Sequence, residues 1–376
     1  MKLLVALTSS FFLIACHINE IKEKNIAGIS EIRYARTLDV HSYKDFSIFR
    51  ISKPWQKSEN ENFSYLIAER DFLIPDSLAH LTLIRSPVKS VVSFSTTHIG
   101  FISALNKIES IKGISGKNYF YDSLLRRNFN AGNVYDVGFP PTIDYEQIVK
   151  LKPDIVFLYG LGASEAAIIN RLAEANIPTI MVSEFLEDHP LGKAEWIKLF
   201  ACLYGLSDMG DSIFNSVSDN YNNLALKVGK ISTKPKVLTG LPWKGTWYMA
   251  GGNSFTAKLI EDAGGDYLWK DNSSEEFIPL SLEAVFSRAV SADIWVNSGS
   301  AGSLSDLISR DIRFGEIKAV ENKAVYNNNA RLNSSGGNDF WESGALRADL
   351  ILRDLISAFH PGLLEENDLV YYRKLE

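Results

Sequence analysis

The sequence predicts an α/β protein with two doubly wound lobes, a long rigid helix between them and a β-rich N-terminal extension. Three observations carry this prediction. Strand patterns alternate with helical patterns in two separate runs, and the stretch between those runs, residues 193–230, has hardly any strand signal. At 376 residues the chain also exceeds what a single hydrophobic core usually serves.

The first 16 residues have the pattern of an export signal. MKLLVALTSSFFLIAC contains one lysine, an apolar run too short to cross a bilayer as a helix, and Ala15 directly before Cys16. Its Leu-Ile-Ala-Cys end resembles the bacterial lipobox, whose cysteine is lipidated and becomes the first residue of the mature protein. An ordinary secretory signal, with Cys16 there by chance, is the alternative. We expect a lipid on Cys16 and a periplasmic protein anchored by it to the envelope membrane.

The amino-acid composition indicates a folded protein and argues against a nucleic-acid-binding one. A hydrophobic content of 46% and an aromatic content of 11% suffice for folded cores. The 39 Lys and Arg against 45 Asp and Glu give a net charge of −6, which argues against nucleic acid as a partner. Cys16 and Cys202 are the only cysteines, so no disulfide framework holds the fold, and Cys202 lies in an apolar helical stretch typical of a packed thiol.

Residues 17–87 are predicted to be a tether followed by the extension. HINEIKEKN is a polar run without a core pattern, whereas FSIFRIS and FSYLIAERDFLIP are typical of strands. Pro54, Pro75 and Pro87 interrupt the pattern. We therefore expect β-structure before the first lobe.

The first lobe is predicted at residues 88–191. VKSVVSF, VYDVG and IPTIMVS are strand patterns, and THIGFISALN and SEAAIINRLAEAN are helical. Residues 142–160, TIDYEQIVKLKPDIVFLYG, predict a short helix that Pro153 ends, followed by the buried strand Ile-Val-Phe-Leu. Strands alternating with helices indicate a parallel sheet.

The inter-lobe helix is predicted at residues 192–231 and the second lobe at residues 232–376. Apolar residues from Trp196 to Leu224 recur at helical spacing, which indicates one long helix, or two closely joined, with bends at Gly205 or Gly210. After Pro235, KVLTG, ADIWVNSG and KAVYNN are strand patterns, and WESGALRADLILRDLISAF is a closing helix. A ligand cleft between the lobes is the natural expectation.

Three kinds of site find little support. In YGLGASEAA the third glycine of a dinucleotide fingerprint is replaced by Glu165. The six histidines show no pair at metal-ligand spacing, so we expect no metal and no cofactor. Ser300 in NSGSAGS lacks the spacing of a nucleophile elbow.

Aromatic and polar side chains are dense in several predicted loops. Rings give rigid contact area, and Arg and Asn bind carboxylates and carbonyls. Thr97 and His98 follow the first strand of the lobe, where a cleft residue would lie, although helix capping is the competing role of that loop. The ligand-binding candidates are Trp243, Trp247, Tyr248, Arg331, Asn338, Trp341, Thr97, His98 and Arg126.

The same segments bring out a family resemblance. The order of VVSFSTTHIGFISAL, VYDVGFPPTIDYEQIVKLKPDIVFLYG, GKAEWIKLFACLYG and DFWESGALRADLILRDLISAFHP resembles the class III periplasmic binding proteins, which serve ABC importers of ferric siderophores and cobalamin. The resemblance spans residues 86–362, and the segment E-x-I-V-x-L-K-P-D carries most of it. It implies two lobes, a rigid inter-lobe helix and a shallow cleft without covalent chemistry.

The resemblance also implies partners. The bound ligand, a ferric siderophore, corrinoid or haem, would be delivered to a membrane permease dimer driven by an ATPase. An exposed glutamate on each lobe would dock on the permease, and Glu146 and Glu283 stand at corresponding points of the two lobes. Stabilisation of two helix dipoles is the simpler role for these acids. The rival class is an envelope-tethered hydrolase that uses Asp339 and Glu342 as acid and base.

Overall fold

The computed structural model describes residues 31–58, 61–160, 165–365 and 368–376. Cys16 and the predicted signal peptide lie outside these residues. The extension forms a four-stranded sheet in the order β1-β2-β3-β4, antiparallel except for the parallel β3–β4 pair. Its strands are β1 Leu38–Ser42, β2 Phe46–Ser52, β3 Asn62–Glu69 and β4 Thr82–Ser86.

The first lobe is a parallel five-stranded sheet in the order β7-β6-β5-β8-β9. The order reverses at β5, as a doubly wound sheet requires. The strands are β5 Val91–Ser93, β6 Ile111–Ile114, β7 Tyr135–Asp136, β8 Ile155–Leu158 and β9 Thr179–Met181. The helices are α1 Thr96–Ala104, α2 Ser123–Asn130, α3 Tyr145–Leu151 and α4 Glu165–Glu174.

The helical segment between the lobes contains three helices. These are α5 Pro190–Glu195, α6 Ile197–Leu203 and the 22-residue α7 Ser207–Val228. The chain turns between α6 and α7 at Gly205, whose φ of +68° is a left-handed conformation that glycine adopts without strain. A single helix over residues 192–231 is therefore not observed. A Cβ on Gly210 would lie 2.4 Å from the Ala201 side chain, so the absence of one lets α7 pack closely on α6.

The second lobe has a five-stranded sheet in the order β12-β10-β14-β15-β16, parallel except for β16, and a separate hairpin of β11 and β13. The strands are β10 Lys236–Thr239, β11 Thr246–Ala250, β12 Asp266–Tyr267, β13 Phe277–Ser281, β14 Ile294–Val296, β15 Val325–Asn327 and β16 Arg373–Lys374. The helices are α8 Phe255–Asp262, α9 Leu282–Ala289, α10 Leu304–Arg310, α11 Lys318–Glu321 and α12 Ala348–Phe359. The predicted closing helix thus begins later than expected, because residues 339–345 form two short 3-10 turns instead.

The fold is thus the predicted α/β fold of two lobes with a β-rich extension. The apolar strands β5, β8, β10 and β14 are buried at the centre of the two lobe sheets. No helix in the described ranges is both long enough and apolar enough to cross a bilayer.

Candidate ligand cleft

A cleft of about 760 Å³ lies between the two lobes. Ser95, Tyr159 and Asn297 come just after β5, β8 and β14, so the cleft opens at the carboxyl ends of the strands, where open α/β sheets bind ligands. The lobe residues that line it include Ser95, Thr96, Thr97, Tyr159, Glu184, Phe185, Lys193, Phe255, Thr256, Asn297, Phe340, Trp341 and Tyr372. A smaller cavity of about 360 Å³, with a charged wall, lies between α7 and α12, away from these strand ends.

A polar group stands in the wall of the cleft. The Thr97 hydroxyl donates to Glu184 Oε1 at 2.5 Å, while Glu184 Oε2 is buried and has no hydrogen-bond partner among the described residues. Burial raises the pKa of Glu184 and lowers that of Lys193, and their mutual attraction opposes both changes. An unsatisfied buried carboxyl oxygen is costly, so a ligand that donates to it would gain affinity.

Aromatic rings form much of the remaining wall. The side chain of Trp341 is 54% exposed and meets Phe340 edge-on, with ring centroids 4.8 Å apart. The Lys193 ammonium lies 5.4 Å from the centroid of the Phe255 ring. Such rings offer broad contact to a large ligand with an apolar body.

The structure places two of the predicted ligand-binding residues, Thr97 and Trp341, at the cleft. The structure contradicts the prediction that Trp247 lines the cleft. Trp247 is fully buried and donates from Nε1 to the Thr239 carbonyl oxygen. The predicted loop around it is strand β11, whose alternation turns Trp247 inward and leaves Tyr248 46% exposed. Trp243 is 61% exposed, and neither Trp243 nor Tyr248 lines the cleft.

His98 and Arg126 also lie away from the cleft. His98 is fully buried on α1 beside the stacked rings of Phe157 and Phe200, and burial lowers its pKa to about 3, so the ring is neutral. Arg126 donates to the carbonyl oxygens of Lys117 and Phe120. His98 therefore packs in the core of the lobe, and Arg126 holds the loop before α2. Neither residue lines the cleft.

Arg331 and Asn338 belong to a loop, residues 331–345, that packs on the first lobe. Arg331 pairs with Asp339, with Nε 2.7 Å from Oδ2, and Asn338 caps the next turn by accepting from Phe340 N. Neither lines the cleft. Gly100 on α1 touches the loop so closely that a Cβ there would lie 2.2 Å from the Glu342 carbonyl oxygen.

Asp339 and Glu342, the acid and base of the rival hydrolase, do not line the cleft either. Asp339 is held by Arg331, and Glu342 accepts from the backbone N–H groups of Tyr121 and Asp122 at 2.6 and 2.8 Å. Both carboxyls are almost fully buried. Glu342 therefore joins the second lobe to the first. This arrangement gives the pair a structural role.

Glu342 should make stability depend on pH. Burial raises the pKa of Glu342 from 4.5 to about 8. Between these values the folded protein holds a proton that the unfolded chain releases, so this group's contribution to stability falls as pH rises from 4.5 to 8. We expect Glu342→Gln to remove that loss, so its stability relative to wild type improves from pH 5 to pH 8 in urea unfolding. Glu316→Gln, at an exposed site, is the control, and a constant offset between Glu342→Gln and wild type would contradict the assignment.

Metal ligands do not cluster in the described part of the chain: no group of three His, Cys, Asp or Glu is placed to hold an ion. Burial raises the pKa of the Cys202 thiol to about 12, as expected of a packed cysteine.

Several cleft residues were missed at the sequence level. Tyr159 and Asn297 directly follow buried strands, and that position alone could have identified them. Glu184, Phe255 and Tyr372 come from elements distant in sequence and give no local signal.

Comparison with known proteins decides the family. Residues 91–332, more than half of the chain, match the family model described as periplasmic binding protein. The chain belongs to the periplasmic binding protein family.

Relatives of this periplasmic binding protein include archaeal and bacterial proteins. A lipoprotein of Methanocaldococcus jannaschii is 29% identical over 364 residues, covering 91% of this chain and 84% of the relative. A second lipoprotein of that organism is 26% identical and covers 93% of this chain and 88% of the relative. The molybdate-binding protein MolA of Haemophilus influenzae is 25% identical over 241 residues, covering 57% of this chain and 66% of MolA.

Solved structures share the fold. The structure of MolA bound to molybdate has a TM-score of 0.60 at 20% identity and covers 78% of this chain and 92% of that chain. The periplasmic heme-binding protein HutB of Vibrio cholerae has a TM-score of 0.57 at 16% identity and covers 72% of this chain and 99% of that chain.

Proposed function

We propose that this periplasmic binding protein captures a ferric siderophore, a corrinoid or another bulky chelate such as haem, and delivers it to a permease. The observation that carries the proposal is the aromatic cleft of about 760 Å³ between the lobes. Small-molecule sites span roughly 300–1,000 Å³ and combine an apolar wall with a few polar groups, so this cleft is among the larger ones. Thr97, Glu184 and Lys193 would be those polar groups. Molybdate, the ligand named for MolA, would fill little of this volume.

Docking on the permease is assigned to Glu146 and Glu283. Each is the second residue of its helix, α3 or α9, and each helix leads to a buried strand, β8 or β14. Both side chains are exposed, although Arg313 Nη1 lies 3.6 Å from Glu283 Oε1. Two like charges at equivalent points of two lobes suit a partner with two-fold symmetry.

Attachment to the envelope membrane is assigned to Cys16. Two M. jannaschii relatives named lipoproteins support this assignment, as does the lipobox-like sequence. A single acyl chain binds membranes only marginally, so stable anchoring would need the several chains of a bacterial-type lipoprotein.

Trp341→Ala should weaken ligand binding by about 2 kcal/mol, roughly thirtyfold, because truncating a central aromatic anchor commonly has that effect. We would titrate purified protein with haemin, cyanocobalamin, ferric enterobactin and molybdate by calorimetry. The matched control is Trp243→Ala, since Trp243 is also more than half exposed but lies outside the cleft. If Trp341→Ala and Trp243→Ala bound the probe with equal affinity, the ligand would bind outside the part of the cleft that Trp341 lines. Binding of molybdate alone would contradict a bulky ligand.

A further inference from the structure

The extension is an addition to the family fold. Residues 31–87 precede the region 91–332 that matches the family model. The HutB structure is covered to 99% of its length, yet the match covers only 72% of this chain. The M. jannaschii lipoproteins, in contrast, align with 91% and 93% of this chain. The unaligned remainder is shorter than the extension, so at least part of the extension aligns with these relatives.

One loop of the extension, residues 53–58, is docked firmly on the first lobe. Trp55 is 8% exposed and packs in the apolar cluster beneath the sheet of that lobe, against Phe63 and near Met181. Its backbone pairs with Gly160, just beyond β8, where a Cβ would approach the Trp55 Cβ to 3.0 Å. The Ser58 hydroxyl donates to the Trp55 carbonyl oxygen at 2.8 Å and closes the turn. The loop is therefore part of the lobe surface.

This docking brings the loop to the cleft. Lys53, Trp55, Gln56, Lys57 and Ser58 all line the cleft, and so do Arg36 and Thr37 from the segment that leads into β1. The extension thus contributes a third wall beside the two lobes.

The charge on this wall is positive. Arg36 is paired with Asp188, but Lys53 and Lys57 are exposed and form no salt bridge with another described residue. Among the acids of the cleft, Glu187 accepts from the backbone N–H groups of Arg36 and Thr37, and Glu184 accepts from Thr97 through Oε1 while its Oε2 has no partner among the described residues. Two further acids, Glu275 and Glu276, come from the second lobe beside β13, and Glu275 Oε1 lies 4.0 Å from Arg36 Nη1.

We propose that residues 53–58 are a ligand-contacting wall of the cleft and that Lys53 and Lys57 bind an anionic group of the ligand. The inference rests on the proposed function and narrows its ligand class to chelates that carry carboxylate or other acidic groups. Exposed ammonium groups on a fixed loop contribute charge-assisted hydrogen bonds and attract an anion as it enters. The alternative is that the lysines pair with Glu275 and Glu276 across the cleft and touch no ligand.

The test is calorimetry on Lys53→Glu/Lys57→Glu with haemin, whose propionates are ionised, ferric enterobactin and molybdate as anionic probes. Cyanocobalamin, which has no net charge, is the neutral probe. We expect an anionic probe to bind the wild type and to lose affinity by about tenfold or more in the variant. Added salt should weaken the wild-type complex. The control, Lys44→Glu/Arg50→Glu, makes the same change of charge at exposed extension residues outside the cleft and should bind as wild type does.

Four results would overturn the proposal. If the variant bound the anionic probe with unchanged affinity, Lys53 and Lys57 would not contact the ligand. An equal loss of affinity for anionic and neutral probes would indicate that the lysines pair with Glu275 and Glu276 across the cleft and do not bind the ligand. Binding of cyanocobalamin alone would leave capture intact and refute the anionic ligand, whereas binding of no probe would refute the proposed function as well.

Discussion

Replacing Glu195 by alanine is expected to lower the free energy of unfolding by about 3–5 kcal/mol, as breaking a buried ion pair commonly does. The Glu195 carboxylate is fully buried and accepts from the backbone N–H groups of Arg33, Tyr34 and Ala35 at 2.7–3.1 Å. Its Oε1 also lies 3.0 Å from Nζ of the buried Lys198. Truncation would leave these N–H groups without their carboxylate and would remove one acceptor of Lys198 Nζ, which also donates to the Glu31 carbonyl oxygen and lies 3.7 Å from Asp211 Oδ1.

Urea unfolding of the variant and of Glu174→Ala would measure this effect. Glu174 is exposed at the end of α4, so its truncation should change stability by only about 0.5 kcal/mol. The double variant Glu195→Gln/Lys198→Met should lose less than the sum of its single changes, because it removes both charges together. A loss below about 1 kcal/mol for Glu195→Ala would show that water or a rearranged segment satisfies these groups.

The second large effect is expected in transport. In the double variant Glu146→Arg/Glu283→Arg, ligand uptake should fall by about tenfold or more. If the two glutamates dock on cationic groups of the permease, the arginines would face like charges across the interface, which costs several kcal/mol. Ligand affinity should stay as in wild type, since neither residue lines the cleft. Uptake by cells and calorimetry on the purified protein would separate the two quantities.

The competing role of these acids predicts a different result. If they only stabilise helix dipoles, each contributes about 0.3–1 kcal/mol to stability and the variant transports normally. Glu174→Arg/Glu321→Arg, at exposed positions on α4 and α11, is the control for the change in net charge. Normal uptake by the docking variant would refute the docking assignment.

The periodic elements could be predicted because their signals are local. The apolar run at residues 155–158 is a buried central strand, and α3 ends at Leu151 just before Pro153. Asp144 is the N-cap of α3 and accepts from Gln147 N, a role typical of an aspartate just before a helix. Hydrophobic spacing together with capping and helix-ending residues determines such elements without distant contacts.

The cleft could be predicted only in part, because it depends on partners far apart in the chain. Gly251 and Gly252 follow β11, and their lack of side chains lets backbone oxygens of residues 270–276 approach them, a contact between segments about twenty residues apart that no local pattern indicates. Nothing local distinguishes the core position of Trp247 from the exposed one of Trp243. The contact between Trp55 and Gly160, which brings the extension to the cleft, leaves no trace in periodicity.

The attachment of residues 33–37 to buried carboxylates has a mechanical consequence. Glu195 and Glu187 hold five consecutive backbone N–H groups, and these two acids lie at the end of α5 and shortly before its start. A pull on the N terminus therefore loads charge-assisted hydrogen bonds at α5 before it reaches the first strand of the extension. The helix that carries the cleft residue Lys193 is therefore the part of the fold on which tension applied at residue 33 would first act.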